Sequence, residues 1–446
     1  MKNISALLTF RNSIIIFLIF YTLVTFAYVV KIPMAYLNFY AEDGLLFYQT
    51  AKDFSFPNDF LMPATGYSIL VSRIIGRLIT FFPVNILPQV NFIFVCIFIA
   101  FFCTVILRNL SNLISNNFLR VLSSLSLILL PIINFELMAS SSSLHFLLLF
   151  PATLILINLR NGESINGADI FVLALTFLSD PISIIVLPAL IKIESIKISK
   201  LLHSNNKIIY IIIFCCIALQ GLYVAYSLSQ GHRGISGNGS ILKTIYLYLD
   251  RVVGSTLIPN FGFVSSNDFV SGLLTSKLLL RAGATIVIST IIVSMVVYLW
   301  RKSKNDVTVV RRPLQNIVLL FVVSSFYWAF SGYFFNPEPR YAIFPGLCLV
   351  AIICILFDVC ASQKMIINHG FIWLKKSGVV FLLFLFISTW LFSIKPSPIR
   401  TTGTTWESEL VTARNSCNNL GQENVNLHIL PITGSWFVTM KCSELQ

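Results

Sequence analysis

Ile14-Ile-Ile-Phe-Leu-Ile-Phe-Tyr-Thr-Leu-Val-Thr-Phe-Ala-Tyr-Val-Val-Lys-Ile32 is the first long apolar run of the chain. Its length matches the roughly 20 residues that a helix needs to cross a hydrocarbon core. About one turn beyond it stands Tyr40-Ala41-Glu42-Asp43-Gly44. Two adjacent carboxylates where a membrane helix emerges are close enough to headgroups to meet a lipid-borne substrate. They are also expected to be far enough out to stay hydrated. The plainer reading of the pair is a helix cap on a loop, so the rest of the chain has to decide.

The 446 residues are 56% hydrophobic and only 11% charged, with a mean hydropathy of +0.84. Water-soluble chains carry roughly 25% charged residues. Further apolar runs follow the first, and the fold class is therefore an all-α polytopic membrane protein. Lys2 and Arg11 precede the first run with no small-residue cleavage site after it, so this helix is expected to be retained and not removed as a signal peptide.

Spans are expected at 14–32, 89–107, 121–134, 145–159, a short pair within 168–193, 208–228, 282–300, 314–334, 342–358 and 378–394. That is about 11 spans, with the N-terminus cytoplasmic and the C-terminus periplasmic. The short loops then assigned to the cytoplasm hold nearly all of the net charge of +13, with Glu163, Asp169, Glu194, Asp306 and Asp358 as their acids. Lys and Arg concentrate in cytoplasmic loops, so the charge marks topology and no nucleic-acid partner is expected. Residues 1–394 form the membrane core, with outer loops at 33–88 and 229–280, and residues 395–446 form a small polar tail. Within the first loop, residues 66–82 carry Arg73 and Arg77 on one helix face. An amphipathic helix lying on the outer membrane surface, with both guanidinium groups turned to headgroups, is the expected arrangement.

Cys96, Cys103, Cys215, Cys216, Cys348, Cys354 and Cys360 fall in or at the ends of these helices and read as small apolar residues. Cys417 and Cys442 lie in the tail, where a periplasmic location allows a disulfide; two free thiols are the alternative. No cysteine or histidine spacing suggests a zinc site. The polar residues placed outside are Glu42, Asp43, Arg73, Arg77, Glu136, His145, Asp180, Arg233 and Arg340. A carboxylate can take the proton of an attacking hydroxyl, and arginines match a phosphate leaving group. Each also has a structural alternative. Arg73 and Arg77 could snorkel to headgroups, Arg340 could be an interfacial anchor, and His145 and Glu136 could be hydrogen-bonding partners. Asp180-Pro181 is an ordinary helix-start signal, and Arg233 sits in a glycine-rich loop.

With these residues in view, the chain resembles the GT-C-fold membrane glycosyltransferases, which carry an acidic pair in the first external loop. More narrowly it is similar to the serotype-converting O-antigen glucosyltransferases of temperate phages. The matching stretches are Glu42-Asp43, Leu178-Ser-Asp-Pro181 to Pro188, Pro339-Arg340-Tyr341 with Pro345, and Trp406, Cys417, Pro431, Trp436 and Cys442 of the tail. The resemblance implies a bacterial inner-membrane enzyme facing the periplasm. It would move glucose from undecaprenyl-phosphate-glucose to lipid-linked O-antigen with inversion. Glu42 or Asp43 would be the general base. Arg340 and the Arg73/Arg77 pair are candidates for the donor phosphate, with His145, Arg233 and Tyr341 as further substrate contacts. A divalent metal is not favoured. A donor-synthesising glycosyltransferase and a small flippase would be the partner proteins.

The rival readings are an O-antigen polymerase, a lipid-linked-oligosaccharide flippase or transporter, and a membrane acyltransferase. A polymerase would be expected to use arginines in two large outer loops, whereas one long mid-chain loop is present. A transporter would place charge at mid-depth in its spans, and here the charges sit at helix ends.

Overall fold

The computed structural model describes residues 10–62, 67–130, 138–190, 207–229, 311–334, 339–362, 403–420, 422–431 and 436–445, with short pieces between 244 and 301. It is predominantly helical. The first helix, α1 (Phe10–Lys31), leads into a π-helical turn (Asp43–Tyr48), then α2 (Gln49–Asp53), α3 (Asn58–Leu61) and α4 (Leu70–Ile79). A 3₁₀ turn (Val84–Ile86) starts α5 (Leu87–Leu110), and α6 (Asn117–Leu129) follows. Ser141–Ser143 form a 3₁₀ turn ahead of α7 (Leu144–Arg160). Next come α8 (Gly167–Ser179), a 3₁₀ stretch (Pro181–Leu190), α9 (Lys207–Ser229) and a π-helical turn (Tyr248–Gly254). After α10 (Arg311–Phe334), a 3₁₀ turn (Pro339–Ala342) begins α11 (Ile343–Ser362).

Among the described residues six helices are long and apolar enough to cross a membrane: Asn12–Lys31, Val84–Leu110, Ser141–Arg160, Lys207–Ser229, Arg311–Ser331 and Arg340–Val359. Of the other expected spans, 121–134 and the 168–193 pair appear as shorter apolar helices, at Asn117–Leu129, Gly167–Ser179 and Pro181–Leu190. The expected span at 378–394 lies outside the described residues, and within 282–300 a shorter apolar helix is described at Ile292–Arg301. Burial separates two kinds of span. In α7 and α11 94% of the apolar window is buried, against 22% in α1 and α9. The outward side chains of the latter are Ile15, Leu18, Ile19 and Phe26 on α1, and Ile211, Phe214 and Leu222 on α9. A helix apolar on every side and exposed on one is what a lipid solvent requires.

The charged groups collect at the two ends of the bundle. At one end Asp358 accepts from the Ser115 and Asn116 backbone N–H groups at 2.7 and 2.9 Å. Asp169, the capping-box acid of α8, accepts from Arg108 and from Asn109 Nδ2. Glu163 pairs with Arg312 at 2.6 Å. These are three of the acids assigned to the cytoplasm; Glu194 and Asp306 lie outside the described residues.

The opposite end holds the first loop, and here one expectation is corrected. The helix carrying Arg73 and Arg77 is not a surface helix. α4 is wedged against α5, α7, α8 and the π-helical turn, with Val71, Ser72, Arg73, Ile75, Gly76 and Ile79 buried. Its polar positions face protein: the Val71 N–H donates to Ser179 Oγ at 3.0 Å and Ser72 Oγ donates to the Ser141 carbonyl at 2.6 Å.

The polar tail is a folded module. It folds into α12 (Trp406–Leu420), an antiparallel pair β1 (Asn424–His428) and β2 (Phe437–Lys441), and a final turn α13 (Cys442–Leu445). Cys417 and Cys442 are joined in a disulfide, their Cα atoms 5.6 Å apart. Trp406, 1% exposed, plugs this module onto the first loop. Its backbone N–H donates to the Leu37 carbonyl at 2.8 Å, its indole N–H to the Val84 carbonyl at 2.7 Å, and its ring packs edge-on against Phe39. Lys52–Glu444 (2.7 Å) and Thr439 N–H to Gln49 Oε1 (2.9 Å) add a second seam.

Gly76 marks the tightest approach of α4 to the π-helical turn, since a Cβ there would lie 2.6 Å from the Phe47 carbonyl oxygen. Gly76→Val is expected to cost about 1–3 kcal/mol by overpacking. A lowered melting temperature of the purified protein in detergent would register it, and an unchanged one would contradict this packing.

Candidate active site

The chain leaves α1 through Pro33 to Asn38 and reaches the acidic pair by way of Ala41, whose φ of 44° is left-handed. An alanine takes up that conformation only when its surroundings enforce it. Here the enforcement comes from the C-terminal module. The Ala41 N–H donates to the Leu430 carbonyl at 2.6 Å, and the Leu430 N–H donates to the Phe39 carbonyl at 3.1 Å. Gly44 is fitted against the same module, with a Cβ only 2.8 Å from Ile429 Cδ1.

The two carboxylates have different environments. Asp43 is 1% exposed, so the expectation that both acids stay hydrated is corrected for this one. Its Oδ1 accepts from Ser140 Oγ (3.0 Å), Ser141 Oγ (3.0 Å) and the Ser142 N–H (2.9 Å). Its Oδ2 accepts from the Ser141 N–H (3.1 Å) and Asn91 Nδ2 (3.3 Å). A carboxylate offers about four lone-pair sites, and these donors occupy them. Glu42, one residue earlier, is half-buried and reaches the surface. Asp43 is the buried anchor of the pair, and Glu42 is the more exposed member.

The two arginines are engaged in holding the first loop, which corrects their expected turn toward headgroups. Arg73, 3% exposed, donates to the Met62 carbonyl at 2.8 Å and the Leu46 carbonyl at 3.4 Å, and lies over the Phe47 ring. Burial lowers its pKa to about 10, so it stays charged at neutral pH. Arg77 donates through Nε to Asp59 Oδ2 at 2.8 Å and to the Phe54 carbonyl at 2.6 Å. Asp59 is fully buried. The expected headgroup-facing arrangement gives way to one that braces the loop.

From Asp43 the hydrogen bonds run on to the histidine. The Ser142 carbonyl, whose own N–H is held by Asp43, accepts from His145 Nδ1 at 2.6 Å. A carbonyl can only accept, so Nδ1 carries the proton and Nε2 presents a lone pair in the neutral ring. Nε2 is buried without a hydrogen-bond partner. The imidazole faces Tyr67 edge-on, with ring centroids 6.3 Å apart, and lies within electrostatic reach of Arg340. The Arg340 guanidinium sits 5.8 Å from the Tyr341 ring centroid, and Tyr341 packs against Phe146 and Tyr327. Asp180 and Tyr67 also lie within electrostatic reach of Tyr327, and Asp180 Oδ1 caps the Ile182 N–H at 2.8 Å.

The structure therefore gathers Glu42, Asp43, His145, Arg340 and Tyr341 at one end of the bundle and assigns Arg73 and Arg77 to the frame. Arg233, Glu136 and most of the 229–280 loop lie outside the described residues. Among the described residues no group of three or more His, Cys, Asp and Glu could hold a metal ion. Sequence reading missed Asn91, Tyr67, Tyr327 and Arg251, the last buried in the Tyr248–Gly254 turn that packs on Pro339–Ala342. Only the serine run before His145 was a visible signal. No family model matches the chain, and no curated protein or solved structure does either.

Each Asp43 oxygen accepts one backbone N–H, from Ser142 on Oδ1 and from Ser141 on Oδ2. In Asp43→Asn either orientation of the amide sets an NH₂ against a backbone donor that cannot rotate away. The expected loss is about 1–3 kcal/mol per stranded donor. A thermal melt of Asp43→Asn beside Glu42→Gln checks this: the first is expected to fall by several degrees more than the second.

Proposed function

We propose that the chain is an inverting, polyprenyl-phosphate-sugar-dependent glycosyltransferase. It moves a hexose, glucose foremost, from an undecaprenyl-phosphate-linked donor to lipid-linked O-antigen at the periplasmic face of the bacterial inner membrane, converting serotype. The observation that carries the reading is the division between the two acids. Glu42 is held half-exposed by a buried Asp43, beside a histidine with an unpartnered Nε2 and a guanidinium, all at one end of a bundle of apolar helices. The proposed topology has about 11 spans with the N-terminus in the cytoplasm. The Cys417–Cys442 disulfide at the same end as the acids suits an oxidising compartment.

In the proposed reaction the acceptor hydroxyl oxygen attacks the anomeric carbon from the face opposite the phosphate. Glu42 takes the hydroxyl proton as the new C–O bond forms. The bond from the anomeric carbon to the phosphate oxygen breaks, and undecaprenyl phosphate leaves with the electron pair. Arg340, backed by the Tyr341 ring, stabilises that charge. His145, its Nδ1 proton committed to Ser142, offers Nε2 to a sugar hydroxyl. Asp43 acts on the reaction only by positioning Glu42 and the Ser140–Ser142 turn. Against a transporter, the buried carboxylates Asp43, Asp59, Asp169, Asp180 and Asp358 all lie at or beyond helix ends, and not at mid-depth.

O-antigen analysis of a strain making the donor and expressing the wild type or Glu42→Gln, with membrane levels matched by blot, tests the reading. Wild type is expected to add a hexose, and Glu42→Gln to lower transfer about 10²–10⁴-fold. Unimpaired modification by Glu42→Gln would remove Glu42 as the base. An unmodified O-antigen in the wild-type strain would remove the transferase reading.

A further inference from the structure

A cleft lies between the C-terminal module and the start of α5. It encloses about 520 Å³ and is lined by Val84, Asn85, Gln89, Glu407, Leu410, Arg414, Glu444 and Leu445. The volume is in the range of small-ligand sites. Glu407, Leu410 and Arg414 are spaced i, i+3 and i+7 on α12, so one helix face supplies the outer wall. Asn85 and Gln89, four residues apart across the start of α5, supply the inner wall.

The polar groups in this cleft are only partly committed. Arg414 spends Nε on the Leu445 carbonyl at 2.8 Å, which fixes the side chain and leaves the terminal amino groups of the guanidinium. Glu444 uses Oε2 for Lys52 and for the Lys441 N–H, leaving Oε1. Gln89 Oε1 is buried without a hydrogen-bond partner. The cleft thus offers carboxylate acceptors, guanidinium donors and two amides that can do both. Its two carboxylates are offset by Arg414, with Lys52 already on Glu444, so no strong net charge selects an ion. A neutral ligand with many hydroxyls matches such a lining.

Its position adds a second property. Phe81, Phe82 and Ile86 are 76%, 41% and 38% exposed on the turn that carries Val84 and Asn85. That turn begins the Val84–Leu110 span. Exposed aromatic and aliphatic side chains at the start of a span sit at the headgroup level. The cleft therefore opens where the glycan of a membrane-anchored glycolipid would emerge.

We propose that this cleft binds the saccharide portion of a lipid-linked glycan, and that it is the acceptor-holding site of the transfer reaction. The assignment rests on the transferase reading. The module that carries the cleft also holds Ala41 through Leu430, so the bound glycan and the acidic turn share one rigid support.

Two measurements on the full chain in lipid nanodiscs test it. In the first, transfer kinetics are compared for wild type, Glu407→Gln, Asn85→Trp and the control Val411→Ala, whose side chain is exposed on α12 away from the cleft lining. The cleft variants are expected to raise the acceptor KM about tenfold, with kcat and the donor KM within about twofold. Val411→Ala is expected to match wild type. The second needs no turnover. A thiol introduced by Asn85→Cys in the Glu42→Gln background is labelled with a maleimide. Undecaprenyl-diphosphate-linked O-antigen units, the free polysaccharide released from them, or undecaprenyl phosphate alone are then added. Slowed labelling by both glycan probes, or by the lipid-linked one alone, supports the proposal and tells an anchored from a free source. Slowing by undecaprenyl phosphate to the same extent overturns it. If wild type transfers hexose but the cleft variants keep the acceptor KM and neither glycan slows labelling, the cleft assignment falls and the transferase stands. If nothing is transferred yet the glycans protect the thiol, the transferase reading falls and the glycan site stands.

Discussion

A single buried carboxylate organises the acidic end of this molecule. Asp43 draws the first loop, α5 and the turn before α7 to one point by accepting from Asn91 and from Ser140, Ser141 and Ser142. Both chain segments that meet there are bent into left-handed conformations next to the junction, Ala41 at φ 44° and Ala139 at φ 55°. Strain of this kind costs on the order of 1–3 kcal/mol per residue and has to be offset by what it makes possible. Here it brings two backbone N–H groups and two hydroxyls to bear on one carboxylate. A half-satisfied version of this network would be worse than none, because burial makes each missing partner costly.

That demand explains why two neighbouring acids, alike in sequence, differ in role. Successive residues at the start of a helical turn point in different directions, so one carboxylate goes inward and the other outward. The inward acid needs a full set of donors. The outward acid then inherits its position from its buried neighbour. The arginines follow the same logic. Arg73 and Arg77 bind the carbonyls of Leu46, Met62 and Phe54, together with Asp59, and so close the loop in which the acids sit.

The apolar periodicity of the chain was enough to locate all six long helices within a few residues, because a span is defined by length and hydropathy alone. The disulfide was legible for a similar reason, as the remaining cysteines fell in apolar runs. Burial of α4 was not. A helix with Ile, Leu and Val on one face and two arginines on the other has the same pattern whether lipid headgroups or loop carbonyls receive the arginines. The partners that decide the matter, Met62, Phe54 and Asp59, carry no motif. Asp43 was illegible in a different way, since its donors from 140 to 142 lie nearly a hundred residues away. The internal structure of the tail was not legible, because short strands and one moderately polar helix resemble a loop until Trp406 is seen to have a socket.

The C-terminal module links these points into one argument about placement. Chemistry on a lipid-borne substrate needs a reacting group held at a fixed height above the bilayer. A loop anchored only at its own helix ends would let that group wander. Here the loop has three supports. Asp43 ties it down to α5 and α7, Arg73 and Arg77 close it internally, and Leu430 and Trp406 press on it from above through Ala41, Phe39 and Leu37. The last support comes from the far end of the chain, so the acidic turn is complete only when α12 and the β1–β2 pair have docked. The same docking creates the polar cleft against α5. A fixed setting for the acidic turn and the polar cleft against α5 are thus two results of one packing event, and the disulfide closes the module that provides both.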